Sequence, residues 1–124
     1  MSRSVAVTGV GLVSCLGHDY EAVMDRLRRG ESGVRAVPEW AQYGIKSQVA
    51  GRVEGVDEKA AEVGVPKKIR PGMSDAALYC SISALDAVRD SGLDPEEVSG
   101  RRTACIVGSG TGSVKSVYRA AELT

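Results

Sequence analysis

Cys15, His18 and Asp19 stand close together in "SCLGHDY" and are residue types that could do covalent chemistry: a thiol nucleophile, a base and a carboxylate. A nucleophile of this kind needs its base held in place by a third group. Asp19, however, directly precedes an amphipathic pattern and is better explained as a helix N-cap. That leaves His18, the single histidine, as a solvated loop residue without an orienting partner. Cys80 and Cys105 lie in apolar runs and read as small buried hydrophobes. Three cysteines without C-x-x-C spacing predict neither a metal cluster nor a disulfide framework.

Two glycine-rich loops raise phosphate and dinucleotide chemistry. In "VAVTGVGLVSCLG", Gly9 and Gly11 fit the start of G-x-G-x-x-G, but Ser14 holds the third glycine's place. The acid expected about 20 residues further on could be Glu31, which follows a helix end instead of a second strand. In "GSGTGS", Gly112 is followed by Ser113 and Lys115 comes too late for a P-loop. Both loops therefore read as places where a chain approaches a neighbouring backbone or ligand closely. The third feature is "VPKKIRPGMSD", where Lys67, Lys68 and Arg70 form a dense basic cluster that is either a solvated loop or a local docking surface.

The elements that must position these residues follow from periodicity. Ser4 to Thr8 alternates small and β-branched residues and predicts a strand. Asp19 then caps a helix with Tyr20, Val23, Met24 and Leu27 on one face, ended by Gly30. Short elements are expected at "PEWAQY", "SQVAGRV" and "DEKAAEVG", in an excursion between framework elements. Ser74 caps a long helix running to Gly92, apolar on more than one face and so expected to be covered on several sides. Asp94, Pro95 and Glu97 predict a second helix start with a capping box. "TACIVGSG" predicts a buried strand and "SVKSVYRAAEL" a final helix. This order favours α/β with a largely buried sheet.

At 124 residues the chain is sized for one domain, and 43% hydrophobic with 26% charged residues is ordinary for a globular protein. There is no Phe, so the core must come from Val, Ala, Leu and Ile. A net charge of zero gives no global field for nucleic acid or anionic membranes. With no spanning segment and no signal-peptide pattern, the expected compartment is the cytoplasm.

"VAVTGVGLVSCLG", then "MSDAALY" leading a small-residue helix, then "GSGTGS" after a strand, occur in the order found in β-ketoacyl-acyl-carrier-protein synthases. The chain resembles these condensing enzymes over essentially all of its length. "RGESGVRAVPEW" and "YGIKSQVAGRV" resemble the synthase I branch in particular. The resemblance implies a thiolase-like layered α/β fold, with residues 1–124 as the N-terminal segment of the synthase domain and an incomplete first half. It implies an acyltransferase of fatty acid or related polyketide biosynthesis that performs a decarboxylative Claisen condensation without a cofactor. Its partner would be an acyl carrier protein with phosphopantetheine-linked groups, and its assembly a homodimer. By resemblance, Lys67, Lys68 and Arg70 form the carrier-docking patch, and Gly110, Thr111 and Gly112 shape the acyl pocket. The family's nucleophilic cysteine follows the "GSGTGS" loop and its two histidines come later still, so no catalytic residue is expected within residues 1–124. A reading frame continuing past Thr124 would support the enzyme segment. A stop there would favour the alternative, a non-catalytic ketosynthase-like partner acting by dimerisation or carrier docking. Saturable NADH binding would support a dinucleotide domain.

Overall fold

The computed structural model describes residues 4–110 and 112–122. Helix α1 spans Tyr20–Arg28, β1 Arg35–Ala36, β2 Val49–Ala50, α2 Val56–Glu62, α3 Asp75–Ser91, α4 Pro95–Val98 and α5 Val114–Glu122, with 3-10 turns at Pro38–Tyr43 and Arg70–Gly72. The expected caps are in place. Asp19 Oδ1 accepts from the Ala22 amide at 2.8 Å, and Ser74 Oγ from the Ala77 amide at 3.1 Å. The Asp94 amide donates to Glu97 Oε2 at 3.2 Å. Gly30 and Gly92, with φ of 67° and 65°, turn the chain off the ends of α1 and α3.

The core lies between α2 and α3. Ala60, Val63, Val65 and Ile82 are buried together, with Val13, Met73 and Leu78 packed against them. Lys59 ties the two helices across this core, reaching Glu62 at 3.0 Å and Asp86 at 3.3 Å. Burial of Lys59 opposes its charge, but the hydrogen bonds to Glu62 and Asp86 outweigh it and hold the ammonium above its ordinary range. The excursion closes on itself through antiparallel β1 and β2, with Arg35 opposite Ala50 and Ala36 opposite Val49.

Gly9 and Gly11 have a steric purpose. A Cβ on Gly9 would lie 2.7 Å from the Ser91 nitrogen, and one on Gly11 2.7 Å from the Ala87 nitrogen. Each would also collide with a carbonyl oxygen of α3, at Ala87 and Ser83 respectively. The N-terminal segment thus crosses α3 at backbone contact, and the Val10 amide donates to Asp90 Oδ2 at 2.9 Å.

The structure departs from the expected buried sheet. Among the described residues the only named strands are β1 and β2. Residues 4–8 and 103–110 form no ladder, and Val5, Val7 and Ile106 are 93%, 83% and 94% exposed. A strand needs a neighbour to satisfy its amides and carbonyls, and among the described residues neither run is paired into a sheet. Cys105, expected to be buried, is exposed for the same reason. Helix α3 is covered only in part. Ile82 is fully buried, while Leu85 and Val88 remain 41% and 39% exposed.

With Val114, Val117 and Tyr118 of α5 also exposed, the polypeptide of residues 1–124 is expected to self-associate, because large apolar patches drive association. Light scattering coupled to gel filtration should show dimers or larger species at micromolar concentration. A monodisperse monomer with one cooperative unfolding transition would contradict this.

Candidate functional site

The turn between α2 and α3 carries the basic cluster, and the structure divides its members by role. Arg70 is only 13% exposed. Its Nε and Nη2 donate to the Val65 carbonyl at 3.1 and 2.7 Å, and its Nη1 to the Asp57 carbonyl at 3.0 Å. Arg70 therefore braces the turn against the start of α2 and is not a free surface charge. Successive bonds within the turn, Ile69 to Pro66 at 3.1 Å and Gly72 to Ile69 at 3.1 Å, complete its shape. Lys67 and Lys68 are exposed and make no hydrogen bond or ion pair with a described residue.

Removing the brace has a stated cost. Arg70→Ala would leave the carbonyl of Val65, itself 3% exposed, without its donor. The expected loss is about 1–3 kcal/mol of stability, the cost of an orphaned buried polar group. Arg70→Lys should recover little of it, because an ammonium cannot reproduce the guanidinium fork. Thermal unfolding of the full polypeptide measures this, and an unchanged midpoint for Arg70→Ala would contradict the bracing role.

Beside this turn lies a cleft of about 780 Å³, open to solvent. Lys67 and Arg70 line it from the turn, and Lys115 and Arg119 from α5. Asp57, Glu58 and Asp75 also line it, together with the apolar Met73, Leu78 and Tyr79. Lys115 Nζ is 3.6 Å from Asp75 Oδ1. Burial, reinforced by the Asp75 charge, pushes the Tyr79 phenol above its ordinary range, so it stays neutral. The α5 residues were not singled out from the sequence. Their signal was the i, i+4 spacing of Lys115 and Arg119, which puts two cations on one helix face.

The glycine loop is placed differently from the turn. Gly110 and Gly112 are exposed with nothing near their Cβ positions, and Gly112 takes a left-handed φ of 65°. Thr111 lies outside the described residues. The chain leading to this loop borders a second cleft of about 340 Å³ against α3, lined by Val13, Cys80, Ala84, Cys105, Ile106 and Val107. Gly110 and Gly112 line neither cleft.

The Cys15, His18 and Asp19 trio does not assemble. Cys15 fills the space left by two glycines. A Cβ on Gly33 would lie 2.5 Å from its Sγ, and one on Gly51 2.9 Å. His18 Nε2 pairs with the Glu54 carbonyl at 2.6 Å, and its Nδ1 is buried with no described partner. Asp19 is occupied as the α1 cap. Ser14, the break in the glycine fingerprint, holds its own turn, its Oγ accepting from Leu16 at 3.1 Å and donating to the Gly17 carbonyl at 3.0 Å. Among the described residues no group of three or more His, Cys, Asp or Glu could hold a metal, and no helix is long and apolar enough to cross a membrane.

Comparison with known proteins adds the following. The family model "Beta-ketoacyl synthase, N-terminal domain" matches residues 2–123. The chain is 37% identical over 114 residues to 3-oxoacyl-[acyl-carrier-protein] synthase 1 of Escherichia coli K12, covering 91% of this chain and 27% of that protein. It is 35% identical over 111 residues to the synthase 1 of Haemophilus influenzae, covering 90% and 26%. With 3-oxoacyl-[acyl-carrier-protein] synthase 2 of Vibrio cholerae the identity is 30% over 115 residues, covering 93% and 27%. The chain thus spans about a quarter of the length of these curated relatives.

Proposed function

Because the chain belongs to the β-ketoacyl synthase family through its N-terminal domain, we propose that residues 1–124 are the N-terminal segment of a 3-oxoacyl-acyl-carrier-protein synthase. In the complete enzyme a cysteine thiolate would take an acyl group from a carrier protein. Malonyl-carrier protein would then lose carbon dioxide, and its carbanion would attack the acyl thioester carbon and expel the cysteine thiolate. The cysteine and the two assisting histidines lie outside these residues. The segment supplies the α2–α3 scaffold and a docking turn for the carrier. The acyl-pocket role of Gly110, Thr111 and Gly112 belongs to the complete enzyme, where further walls would face the loop. A cytoplasmic homodimer that uses no cofactor fits this reading.

The observation that supports docking most is the division of labour at the turn. Arg70 fixes the backbone, and Lys67 and Lys68 are left exposed and unpaired among the described residues. A carrier protein is acidic, so two free cations on a braced turn suit its approach even though net charge is zero. Lys67→Glu with Lys68→Glu in the complete enzyme should raise the apparent KM for acyl-carrier protein about three- to tenfold. Two exposed charge pairs of about 0.2–1 kcal/mol each correspond to about two- to thirtyfold, and the expected value lies in the middle of that span. Turnover of a small acyl thioester should be spared, and the wild-type advantage should shrink with salt, since exposed charges are screened beyond about 10 Å at 0.1 M. Equal loss on both substrates would assign the lysines to folding. No loss on either would return them to an ordinary solvated loop.

A further inference from the structure

Cys80 and Cys105 are separated in sequence by the end of α3 and all of α4, yet both line one cleft of about 340 Å³. Cys80 lines it from α3 together with Ser83 and Ala84, which follow at i+3 and i+4 and so share its helix face. Cys105 lines it with its neighbours Ile106 and Val107. Both thiols are free, and they differ in access: Cys105 is exposed and Cys80 is half-buried. Residues 104–108 make no hydrogen bond, through backbone or side chain, with a described residue. Cys105 can therefore shift toward α3 without breaking a bond of its own backbone. Cys15, the third cysteine, lines neither cleft and packs against Gly33 and Gly51.

We propose that Cys80 and Cys105 form a reversible redox pair, whose disulfide fastens the 103–110 run to α3. The oxidant is a hydroperoxide, of which hydrogen peroxide is the simplest. The thiolate of Cys105, the more accessible of the two, attacks one peroxide oxygen. The O–O bond breaks, and hydroxide leaves and takes up the proton the thiol had released, leaving Cys105 as a sulfenic acid. The Cys80 thiolate then attacks that sulfur. The S–S bond forms, the S–O bond breaks, and a second hydroxide leaves as water with the Cys80 proton. Two thiols lose two electrons between them, and one peroxide is reduced to two waters. A disulfide needs its Cα atoms about 4.4–6.8 Å apart, and the unbonded backbone of residues 104–108 supplies the freedom to meet that distance. Exposed disulfides are the labile ones, so a thiol reductant reverses the step. Once formed, the bond fixes the chain just ahead of the glycine loop, and it does so whether or not the condensing-enzyme reading holds.

The test treats the full polypeptide, under native conditions, with equimolar hydrogen peroxide. Remaining thiols are alkylated, and tryptic peptides are read by mass spectrometry without reductant. Arg89 and Arg102 lie between the two cysteines, so the pair falls in separate peptides. The expected result is a Cys80–Cys105 cross-link, about tenfold or more over any pair containing Cys15, and lost on adding dithiothreitol. Non-reducing electrophoresis should place it within a single chain. In urea the preference over Cys15 pairs should fall several-fold, because only sequence separation then sets which thiols meet. Cys15→Ala should leave the cross-link unchanged. Cys80→Ala should abolish it and leave Cys105 as a sulfenic acid that dimedone traps. The wild-type chain carries the main reading, so misfolding of a variant does not decide the outcome. No cross-link, cross-links only between chains, equal yields through Cys15, or a preference undiminished in urea would each overturn the proposal.

Discussion

Replacing Gly11 with valine is expected to be the most destabilising single change in this segment. The added Cβ would collide with the Ser83 carbonyl and lie 2.7 Å from the Ala87 nitrogen. Both atoms belong to the backbone of α3, so no rotamer change relieves the contact. To make room, α3 must move, and with it Ile82, which has no exposed surface and anchors the core against Ala60, Val63 and Val65. Overpacking a well-filled interior costs about 1–3 kcal/mol and occasionally more. Valine's two further methyls against a rigid helix put Gly11→Val at about 3 kcal/mol or above, a large share of a typical domain's 5–15 kcal/mol. Gly11→Ala should show the same effect in smaller form. Gly72→Ala is the matched control, because nothing lies within 4 Å of its Cβ position and its φ is ordinary. That change should stay within about 0.5 kcal/mol of wild type, as surface substitutions usually do. Thermal unfolding and soluble yield of the full polypeptide read out all three. A Gly11→Ala protein as stable as the Gly72→Ala control would show that the N-terminal segment does not press on α3.

The helices were legible in the sequence because their signals are local. Asp19, Ser74 and the Asp94–Glu97 pair announce helix starts through hydrogen bonds made within four residues, and Gly30 and Gly92 announce ends through a φ that other residues avoid. The expectation that Gly9 and Gly11 serve close backbone approach also holds, with α3 as the neighbour. The strands were not legible in the same sense. Val5, Val7 and Ile106 carry the pattern of buried strands, yet burial is a property of neighbours, and these residues are exposed. The relatives are more than three times as long as the chain, and the neighbours that bury a strand can come from residues far away in sequence.

The candidate site was half legible. A run of Lys67, Lys68 and Arg70 reads as one basic cluster, and only the hydrogen bonds of Arg70 separate the brace from the two free charges. The contribution of α5 is a long-range juxtaposition, and nothing in the spacing of Lys115 and Arg119 says which turn they will face. The Cys15 and His18 pairing fails for the converse reason. Nearness in sequence suggested chemistry, whereas Cys15 packs against Gly33 and Gly51 and His18 turns to the Glu54 carbonyl.

Residues 1–124 are proposed to supply scaffold and docking surface to a condensing enzyme and none of its reacting groups. The chain holds one histidine, and a condensation that needs a thiolate and two histidines cannot be assembled from it. Cys15 is wedged between glycines, and His18 has its Nε2 engaged with a backbone carbonyl. Under this proposal the nucleophile lies outside the segment, which would remove the acyl-enzyme step altogether and not merely slow it. The expected effect is therefore complete loss of turnover, larger than that of any substitution discussed above. The direct measurement is to incubate the purified 124-residue polypeptide with acyl- and malonyl-carrier protein and to follow β-ketoacyl product by mass spectrometry. The account predicts product at the level of the no-protein control. β-Ketoacyl product well above that control, lost when Cys15 is replaced by alanine, would contradict it and place the chemistry inside this chain.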